Sequence, residues 1–319
     1  MPVKLADYFV SLDTYEKRAD VNFVSHAHAD HMSGLRASRP CIASEATMQI
    51  IEAKKHKKFE RMQLPGNAKM LSSGHMLGAK QLYIDSEHYG ARILYSGDYQ
   101  MQRSPVAEPI ETIEADILIL DSTYPYPNIE FEEKELVIGA MQSYIKDKLN
   151  RGPILFTAFA TSKAQEIIRI CNDMGITPCA SEEVCRISDI YCANGVPLEY
   201  QPISDNEISS RNVFISESRK IEQLRADLSK KHSRIFAATA SGFAKFMRFN
   251  TDVQFTLSDH ADFKQAIEYI GHVAPKVIYT CGPGSEIFAR NLRAFGKNAY
   301  SIGSRSKINE LILYNTETR

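Results

Sequence analysis

Long apolar runs are missing from this sequence of 319 residues. No stretch approaches the ~18 consecutive apolar residues of a membrane-spanning helix. The first ten residues, MPVKLADYFV, lack the basic region, the long apolar run and the small-residue cleavage site of a signal peptide. We therefore expect an intracellular protein without a membrane partner, cytoplasmic or, in a eukaryote, nuclear.

Cysteine is present but is not arranged as a framework. The six cysteines form no CxxC pair, and the four between residues 171 and 192 are irregularly spaced, with no histidine among them. A disulfide scaffold of the secreted type is therefore not expected. Free buried thiols are favoured over a structural metal site in this region.

A strong excess of charge of one sign is also absent. With 38 basic and 39 acidic residues, the formal net charge is −1, so the molecule as a whole has no general attraction for nucleic acid. A polyanionic partner would have to be held by a local patch. The basic run KKHKK at 54–58 predicts either a solvated helix face or phosphate contacts.

The most informative stretch present is HAHADH at 26–31, which directly follows an apolar, strand-like run. Three imidazoles and one carboxylate lie within six residues, where a tight turn after a strand can direct them into one pocket. Neutral imidazole and carboxylate are the ligands that Zn²⁺ and similar metals prefer. The pattern predicts a metal-dependent hydrolase. Its candidate ligands are His26, His28, Asp30 and His31.

Further candidate ligands lie at the ends of other predicted strands. His75 and Asp98 each directly follow a glycine, which lets the backbone approach a metal while the strand holds the side chain rigidly. Asp121 ends a fully buried strand pattern, and His260 can complete the shell of a second metal. Asp13 either caps a turn or holds the outer ring nitrogen of a metal ligand.

From about residue 125 the pattern changes to alternating helix and strand signals. A charged amphipathic helix is predicted over 130–149, a strand over 152–159 and a helix over 162–174, and the alternation continues to about residue 250. This predicts a small α/β unit with a mostly parallel sheet. The candidate ligand residues do not cluster in it. A chain of 319 residues with 44% hydrophobic content can form one large or two ordinary domains.

Five motifs of this sequence resemble those of a known family. They are HAHADH at 26–31, GH at 74–75, SGD at 96–98, LDSTY at 120–124 and SDHADF at 258–263. The HAHADH, GH, SGD and DH elements resemble the metallo-β-lactamase superfamily. LDSTY, SDHADF and the α/β segment resemble its β-CASP group of nucleases. The resemblance covers nearly the whole chain.

The resemblance implies an α/β fold, in which an αββα metallo-β-lactamase sandwich carries an inserted α/β β-CASP cap domain. The two parts of the sandwich are expected at 1–124 and 251–319. The cap is expected at 125–250, with the site in the cleft beneath it.

The resemblance also implies roles for individual residues. It assigns His26, His28 and His75 to one zinc, and Asp30, His31 and His260 to the other, with Asp98 bridging the two ions. Asp13 is expected to hold a ligand from outside, and Asp121 to orient a neighbouring ligand. The implied cofactors are two Zn²⁺, for which Mn²⁺ or Mg²⁺ are possible substitutes. The implied catalytic set is Asp13, Asp30, Asp98, Asp121 and His260.

Two carboxylate-bridged metal ions suit phosphodiester hydrolysis. They can activate a hydroxide, polarise a non-bridging oxygen and neutralise the departing oxyanion, so the reaction needs no nucleophilic serine. A small-molecule hydrolase would use the same metals, but the long insertion favours a polymer. A non-catalytic scaffold would be expected to lack several ligands, whereas the set here is complete.

The choice between DNA and RNA depends on departures from the family pattern. Cys281 aligns with a position that is histidine in RNA-directed members and valine in DNA-directed ones, and DSTY is closer to DNA nucleases of the Artemis type. By contrast, AFATSKAQE at 158–166 resembles RNA-processing members, with Lys163 replacing arginine. We expect a DNA 5′-exonuclease of the Artemis and Apollo type, with an RNA-processing endo- or 5′-exoribonuclease as the alternative.

Substrate contacts are harder to assign from the sequence. Cys281 and Lys163 are the candidate substrate-binding residues, and Lys163 is either a phosphate contact or a solvated residue. Aromatic side chains near strand ends can stack on bases or belong to the core; they are Tyr99, Tyr124, Tyr126 and Phe159. The sequence leaves open whether the chain acts alone, as a homodimer or with a repair or processing partner.

Overall fold

The computed structural model describes residues 3–36, 38–208, 210 and 212–302. The chain divides into two compact units. Unit 1 comprises Met1–Arg103, Ala107–Glu130 and His260–Arg319, and unit 2 comprises Ser104–Val106 and Phe131–Asp259. The end of the predicted 251–319 segment, residues 303–319, lies outside the described residues.

The first part of unit 1 consists mainly of strands. They and the helix among them are β1 (Val3–Leu5), β2 (Tyr8–Leu12), β3 (Val21–Phe23), β4 (Cys41–Ile42), α1 (Glu45–Lys55), β5 (Ala68–Ser72), β6 (Lys80–Ser86), β7 (Ala91–Tyr95) and β8 (Ile117–Asp121). Ser44 caps α1, because its side chain accepts a hydrogen bond from the backbone N–H of Thr47. His56, in the left-handed conformation at φ 50°, ends the helix.

Unit 2 alternates helices with short strands, as the sequence pattern predicts. Its elements are α2 (Lys134–Leu149), β9 (Ile154–Thr157), α3 (Lys163–Asn172), β10 (Cys179–Ala180), α4 (Glu182–Ala193), β11 (Gln201–Pro202), α5 (Asp205–Ile208), β12 (Val213–Ser216), α6 (Ser218–Ser229), β13 (Phe236–Ala240) and β14 (Val253–Phe255). The strands form one sheet in the order β11-β10-β12-β9-β13-β14. All of its pairs are parallel.

The chain then returns to unit 1 and completes its larger sheet. The returning elements are α7 (Phe263–Val273), β15 (Val277–Cys281), α8 (Ser285–Ala294) and β16 (Ala299–Ser301). Unit 1 thus contains a four-stranded sheet, β1-β2-β3-β4, and a six-stranded sheet, β16-β15-β8-β7-β6-β5. Every helix in the described part of the chain is too short or too polar to span a lipid bilayer.

Strand β8, in the six-stranded sheet of unit 1, is buried on both faces, which explains its continuous apolar pattern. Ile117 and Ile119 pack in one cluster with Phe23 of the four-stranded sheet. Leu118 and Leu120 point the other way and pack with side chains of α7 and α8. Because side chains alternate along a strand, a strand that is covered on both faces, such as β8, is apolar at successive positions. Two sheets packed face to face, with α7 and α8 against the other face of the larger sheet, confirm the predicted α/β fold class.

Strand direction brings the site together. β7, β8 and β15 are parallel neighbours, and β5 runs the same way because two antiparallel pairings separate it from β7. Their carboxyl ends therefore meet at one edge of the sheet. Asp98 and Asp121 lie at or just beyond the ends of β7 and β8, and His75 lies shortly after β5.

Candidate metal centre

Asp98 lies at the middle of a cluster of histidines in unit 1. Its Oδ2 atom is 3.1 Å from Nε2 of His31 and 3.4 Å from Nε2 of His26. The same oxygen is 3.9 Å from Nε2 of His75 and 3.9 Å from Nε2 of His260. One carboxylate oxygen therefore faces four ring nitrogens from three separate segments of the chain. A carboxylate in this position can be shared between two cations.

Three groups of potential ligand atoms, each made up of residues of unit 1, share Asp98. In each group the atoms lie within 4.8 Å of one another; the groups are His26, His28, His75 and Asp98, then Asp30, His31 and Asp98, and then Asp98, Asp121 and His260. Three imidazoles with a carboxylate are a donor set that suits Zn²⁺. The structure thus brings together all seven side chains that the sequence predicts as ligands.

The Nε2 atom of His26 indicates that the cluster fits a metal. The His26 side chain is fully buried, and its Nε2 atom has no hydrogen-bond partner among the described residues. The other ring nitrogen, Nδ1, lies 2.9 Å from Oγ of Ser25. A buried polar atom without a partner costs about 1–3 kcal/mol. A cation that accepted the lone pair of this nitrogen would remove that cost.

Asp13 holds His31 from outside the cluster. Its Oδ2 atom lies 2.7 Å from Nδ1 of His31 and accepts hydrogen bonds from the hydroxyls of Ser25 and Tyr95, at 2.6 and 2.7 Å. Its Oδ1 atom accepts from the backbone N–H of Ser25 at 2.7 Å. A carboxylate at the second ring nitrogen is the usual way in which a metal-binding histidine is oriented.

Asp121 has the same relation to His260. Its Oδ2 atom is 3.2 Å from Nδ1 of His260, and its Oδ1 atom accepts a hydrogen bond from Oγ1 of Thr123 at 2.9 Å. Roles for Ser25, Tyr95 and Thr123 were not predicted from the sequence. Their positions beside the motifs could have indicated them. Ser25 directly precedes HAHADH, Tyr95 directly precedes SGD and Thr123 lies within DSTY.

The charges of the cluster are set by burial and by the close carboxylates. Burial lowers the pKa of His26 well below its usual value, which keeps this imidazole neutral. Burial alone would also lower the pKa of His31, but Asp98 and Asp13 outweigh it and hold that pKa well above its usual value. Burial alone would raise the pKa of Asp98, but the facing histidines, His31 foremost, hold it well below its usual range. His26 and Asp98 are thus in the deprotonated forms that bind a metal ion, whereas His31 would release a proton when it binds one.

The two candidate substrate-binding residues are both buried. Lys163 of unit 2 is 2% exposed, and its ammonium donates a hydrogen bond to Glu166 and lies 3.8 Å from Asp259. Cys281 of unit 1 is 1% exposed, and its Sγ atom lies 3.4 Å from the carbonyl oxygen of Leu120. The structure does not support direct contact with a substrate for either side chain, because one satisfies a buried ion pair and the other fills the core.

The aromatic candidates divide by burial. Tyr99 and Tyr124 are buried, at 2% and 5% exposure, so they belong to the core, although the Tyr124 ring lies 6.0 Å from that of His260. Tyr126 and Phe159 are 44% and 67% exposed. Only these two of the four candidates present a ring to solvent.

The known proteins that this chain resembles include enzymes that act on nucleic acids. The chain is 29% identical over 206 residues to an RNase J-like protein of Methanocaldococcus jannaschii, a match that covers 53% of this chain and 48% of that protein. It is 28% identical over 187 residues to the DNA cross-link repair 1A protein of Mus musculus, covering 54% of this chain and 18% of that protein. The chain belongs to the metallo-β-lactamase superfamily, in its β-CASP group.

This metallo-β-lactamase chain also resembles part of a larger protein. It is 23% identical over 300 residues to a probable DNA ligase of Opitutus terrae, covering 90% of this chain and 29% of that protein. The chain thus spans less than half the length of these curated relatives, 29% for the ligase and 48% for the RNase J-like protein. No protein-family model matches it.

Proposed function

We propose that this chain is a nuclease that hydrolyses phosphodiester bonds at two metal ions, and that its substrate is DNA, degraded from the 5′ end. The observation that carries the proposal is the position of Asp98, whose Oδ2 atom lies 3.1–3.9 Å from the Nε2 atoms of four histidines. Few functions other than metal binding call for four imidazoles around one buried carboxylate.

The ligands divide between two ions. His26, His28 and His75 would hold one, and Asp30, His31 and His260 the other, while Asp98 would lie between them. When bound, two Zn²⁺, or Mn²⁺ or Mg²⁺ in their place, would supply Lewis acidity to activate water and offset the charge of the phosphodiester.

The remaining residues of the site keep the ligands in position. Asp13 and Asp121 would each hold a ring through its Nδ1 atom, so that Nε2 of His31 and of His260 points towards Asp98. Precise placement matters because most of the rate enhancement in such a reaction comes from preorganised charge.

We assign unit 2 to the β-CASP insertion. It follows β8 and precedes α7 in the chain, and its elements form an α/β unit with an all-parallel sheet. The LDSTY motif ends just before it, and SDHADF at 258–263 marks the return to unit 1. This arrangement supports a polymeric substrate over a small molecule.

DNA is favoured by two observations. The match to a protein named as a probable DNA ligase covers 90% of this chain, and Cys281 stands where RNA-directed members of the family carry histidine. The alternative is an RNA-processing endo- or 5′-exoribonuclease. It is supported by the 29% identity to an RNase J-like protein and by AFATSKAQE at 158–166.

The test is a time course on end-labelled, single-stranded DNA and RNA. Each strand is supplied with a 5′-phosphate or a 5′-hydroxyl, in linear and circular form, to protein that has been stripped with a chelator and then reloaded with Zn²⁺, Mn²⁺ or Mg²⁺. We expect metal-dependent loss of linear DNA from the 5′ end. Equal degradation of circles would contradict the exonuclease, and preferential loss of RNA would favour the alternative.

Variants separate the site from contaminating nucleases. His26→Ala and Asp98→Asn should abolish the activity, whereas His88→Ala, an exposed histidine in a β-turn of unit 1, should not. A chromogenic phosphodiester and a thioester are tested in parallel. Turnover of the thioester without cleavage of any oligonucleotide would refute the proposal in favour of a small-molecule hydrolase.

A further inference from the structure

An exposed aromatic surface follows strand β13 of unit 2. The chain forms a short 3₁₀ helix at Gly242–Lys245, and Phe243, Phe246 and Met247 are 44%, 48% and 54% exposed. Three large apolar side chains within five residues are thus exposed together, in contrast to single scattered ones. Patches of this kind mark interaction sites on soluble proteins. We refer to residues 243–248 as the aromatic segment.

Hydrogen bonds fix the backbone of the aromatic segment. The side-chain amide of Gln254 donates to the carbonyl oxygens of Ala244 and Met247, at 2.7 and 2.9 Å, and accepts from the backbone N–H of Phe249 at 3.2 Å. The hydroxyl of Ser241 accepts from the N–H of Phe243 at 3.2 Å. The rings are thus presented on a preorganised backbone, which lowers the entropy lost when a ligand binds.

Positive charge accompanies the rings. The sequence SGFAKFMRFN at 241–250 contains two cationic residues and no acidic one. Lys245 and Arg248 are both exposed, and neither forms a salt bridge with a carboxylate among the described residues. The segment therefore offers uncompensated positive charge between and beside its apolar side chains.

A further exposed aromatic ring, that of Phe159, lies near the same edge of the sheet. Strands β9 and β13 are parallel neighbours, with Thr157 opposite Thr239. Phe159 lies two residues beyond the end of β9 and is 67% exposed. Because the carboxyl ends of paired parallel strands lie about 4.8 Å apart, Phe159 and the aromatic segment start from adjacent points of the sheet.

We propose that the aromatic segment binds single-stranded nucleic acid. The rings of Phe243 and Phe246 stack on bases, while Lys245 and Arg248 contact backbone phosphates. Every base has a π face, so stacking combined with positive charge holds a single strand without regard to sequence. This inference rests on the proposed nuclease function and adds to it a surface that holds the single strand outside the metal ligands.

Binding is measured in the presence of a chelator, so that hydrolysis cannot interfere. The probes are fluorescein-labelled oligo-dT and oligo-U. Their binding to the full chain is followed by fluorescence anisotropy. F243A/F246A should weaken binding roughly tenfold or more. F243Y/F246Y should bind with nearly the affinity of the wild type, because tyrosine also stacks. The two probes distinguish DNA from RNA as the preferred strand.

The cations are tested through salt dependence. Each phosphate neutralised on a single strand contributes roughly 0.7 to the slope of log affinity against log salt. K245A/R248A should therefore reduce that slope by about 1.4. Matched controls are Phe295→Ala, 56% exposed in unit 1, and Lys231→Ala, exposed just after α6; neither should change affinity or slope.

The outcomes separate this inference from the proposed function. Metal-dependent cleavage by the wild type with unchanged affinity in both double variants overturns the inference and leaves the function standing. A wild type that neither binds nor cleaves DNA or RNA overturns the function itself. If F243A/F246A instead dissociates a dimer or releases the protein from anionic vesicles, with oligonucleotide affinity unchanged, the segment has another occupant and the inference fails.

Discussion

The Oδ2 atom of Asp13 lies 2.7 Å from the Nδ1 atom of His31, and both side chains are completely buried. This contact fixes the ring so that its Nε2 atom lies 3.1 Å from Asp98. The Asp13 residue itself is held in the left-handed conformation, at φ 57°. Aspartate and asparagine tolerate that conformation better than most residues, so the position suits a short polar side chain.

Asp13→Asn should weaken metal binding roughly 10- to 100-fold. Asparagine keeps the shape and tolerates the backbone conformation, but its amide offers a single acceptor atom where Asp13 receives the donors of Ser25, Tyr95 and His31. Zinc affinity is measured by competition with a chromophoric chelator. Asp7→Asn, an exposed aspartate on the preceding turn, is the control; equal zinc affinity of D13N and wild type would contradict the role given to Asp13.

Metal removal should lower the thermal stability of the protein. A metal ion that binds only the folded state, at a free concentration of 100 times its Kd, stabilises by about 2.7 kcal/mol. Tm is compared with zinc and with chelator by calorimetry or circular dichroism. In Asp98→Asn, the difference in Tm between the two conditions should largely disappear, because Asp98 faces both proposed ions. An identical Tm of the wild type in both conditions would argue against a resident metal.

Acid should selectively weaken the contacts of Asp116. Hydrogen bonds from Arg92, foremost the one from its side chain at 3.1 Å, hold the pKa of Asp116 well below its usual value. The folded carboxyl then stays ionised where the unfolded one takes up a proton, so its stabilisation is present above about pH 4 and is lost as the pH falls below it.

Asp116→Asn should therefore cost about 1 kcal/mol at pH 7, and its difference from the wild type should shrink below about pH 4. Urea unfolding at pH 7, 4 and 3 measures both effects. Glu114→Gln is the control, because Glu114 is 3.8 Å from Arg92 and its side chain is 73% exposed, and such pairs contribute little. A pH-independent cost of D116N would show that packing rather than charge is involved.

Cys281→Val should leave the activity unchanged. Cys281→His should lower the stability of the fold and, with it, the activity. The Cys281 side chain is 1% exposed within the core between the two sheets of unit 1. Valine is close to cysteine in size, while a larger side chain overpacks the site and costs about 1–3 kcal/mol. Unfolding midpoints and the DNA-to-RNA cleavage ratio are measured together. A changed ratio in the equally stable C281V would return Cys281 to the substrate-binding residues.

Glu166→Gln should destabilise unit 2 strongly. Glu166 is 1% exposed and lies between two buried lysines, with Oε1 3.1 Å from Nζ of Lys134 and Oε2 bonded to Lys163. Removing one partner of a buried ion pair costs about 3–5 kcal/mol. Urea unfolding is compared with Glu183→Gln, which removes a more exposed pair with Arg186.

Lys163→Met completes that test. Because the ammonium of Lys163 is buried against Glu166, we expect lower stability of this variant but unchanged affinity for oligonucleotides. Weaker oligonucleotide binding by a folded K163M would instead support the phosphate contact, one of the two alternatives that the sequence left open.

Local sequence carries much of the fold. Strand β8 could be located because its first four positions, Ile117 to Leu120, are all apolar. Helix boundaries differ by a few residues, since α2 begins at Lys134 rather than at 130. The reason is that terminal turns are decided by capping contacts that lie outside the periodic pattern.

Burial of individual polar residues was harder to foresee. Lys163 begins a helix and has the charge that a phosphate contact requires. Its side chain is nevertheless buried, in an ion pair with Glu166. Gln254 is an ordinary polar residue of a short strand, yet its amide supports the aromatic segment through three hydrogen bonds. Neither role is visible in composition or periodicity, because each depends on which segments pack together.

The sequence by itself determined the chemistry of the cluster, because imidazoles and carboxylates follow strands in short motifs whose spacing is local. Only the tertiary structure decided which atoms face one another. The bond from Tyr95 to Asp13 spans 82 residues and that from Asp121 to His260 spans 139. Contacts over such distances arise from the parallel order of the strands, which places the ends of remote segments at one edge of a sheet.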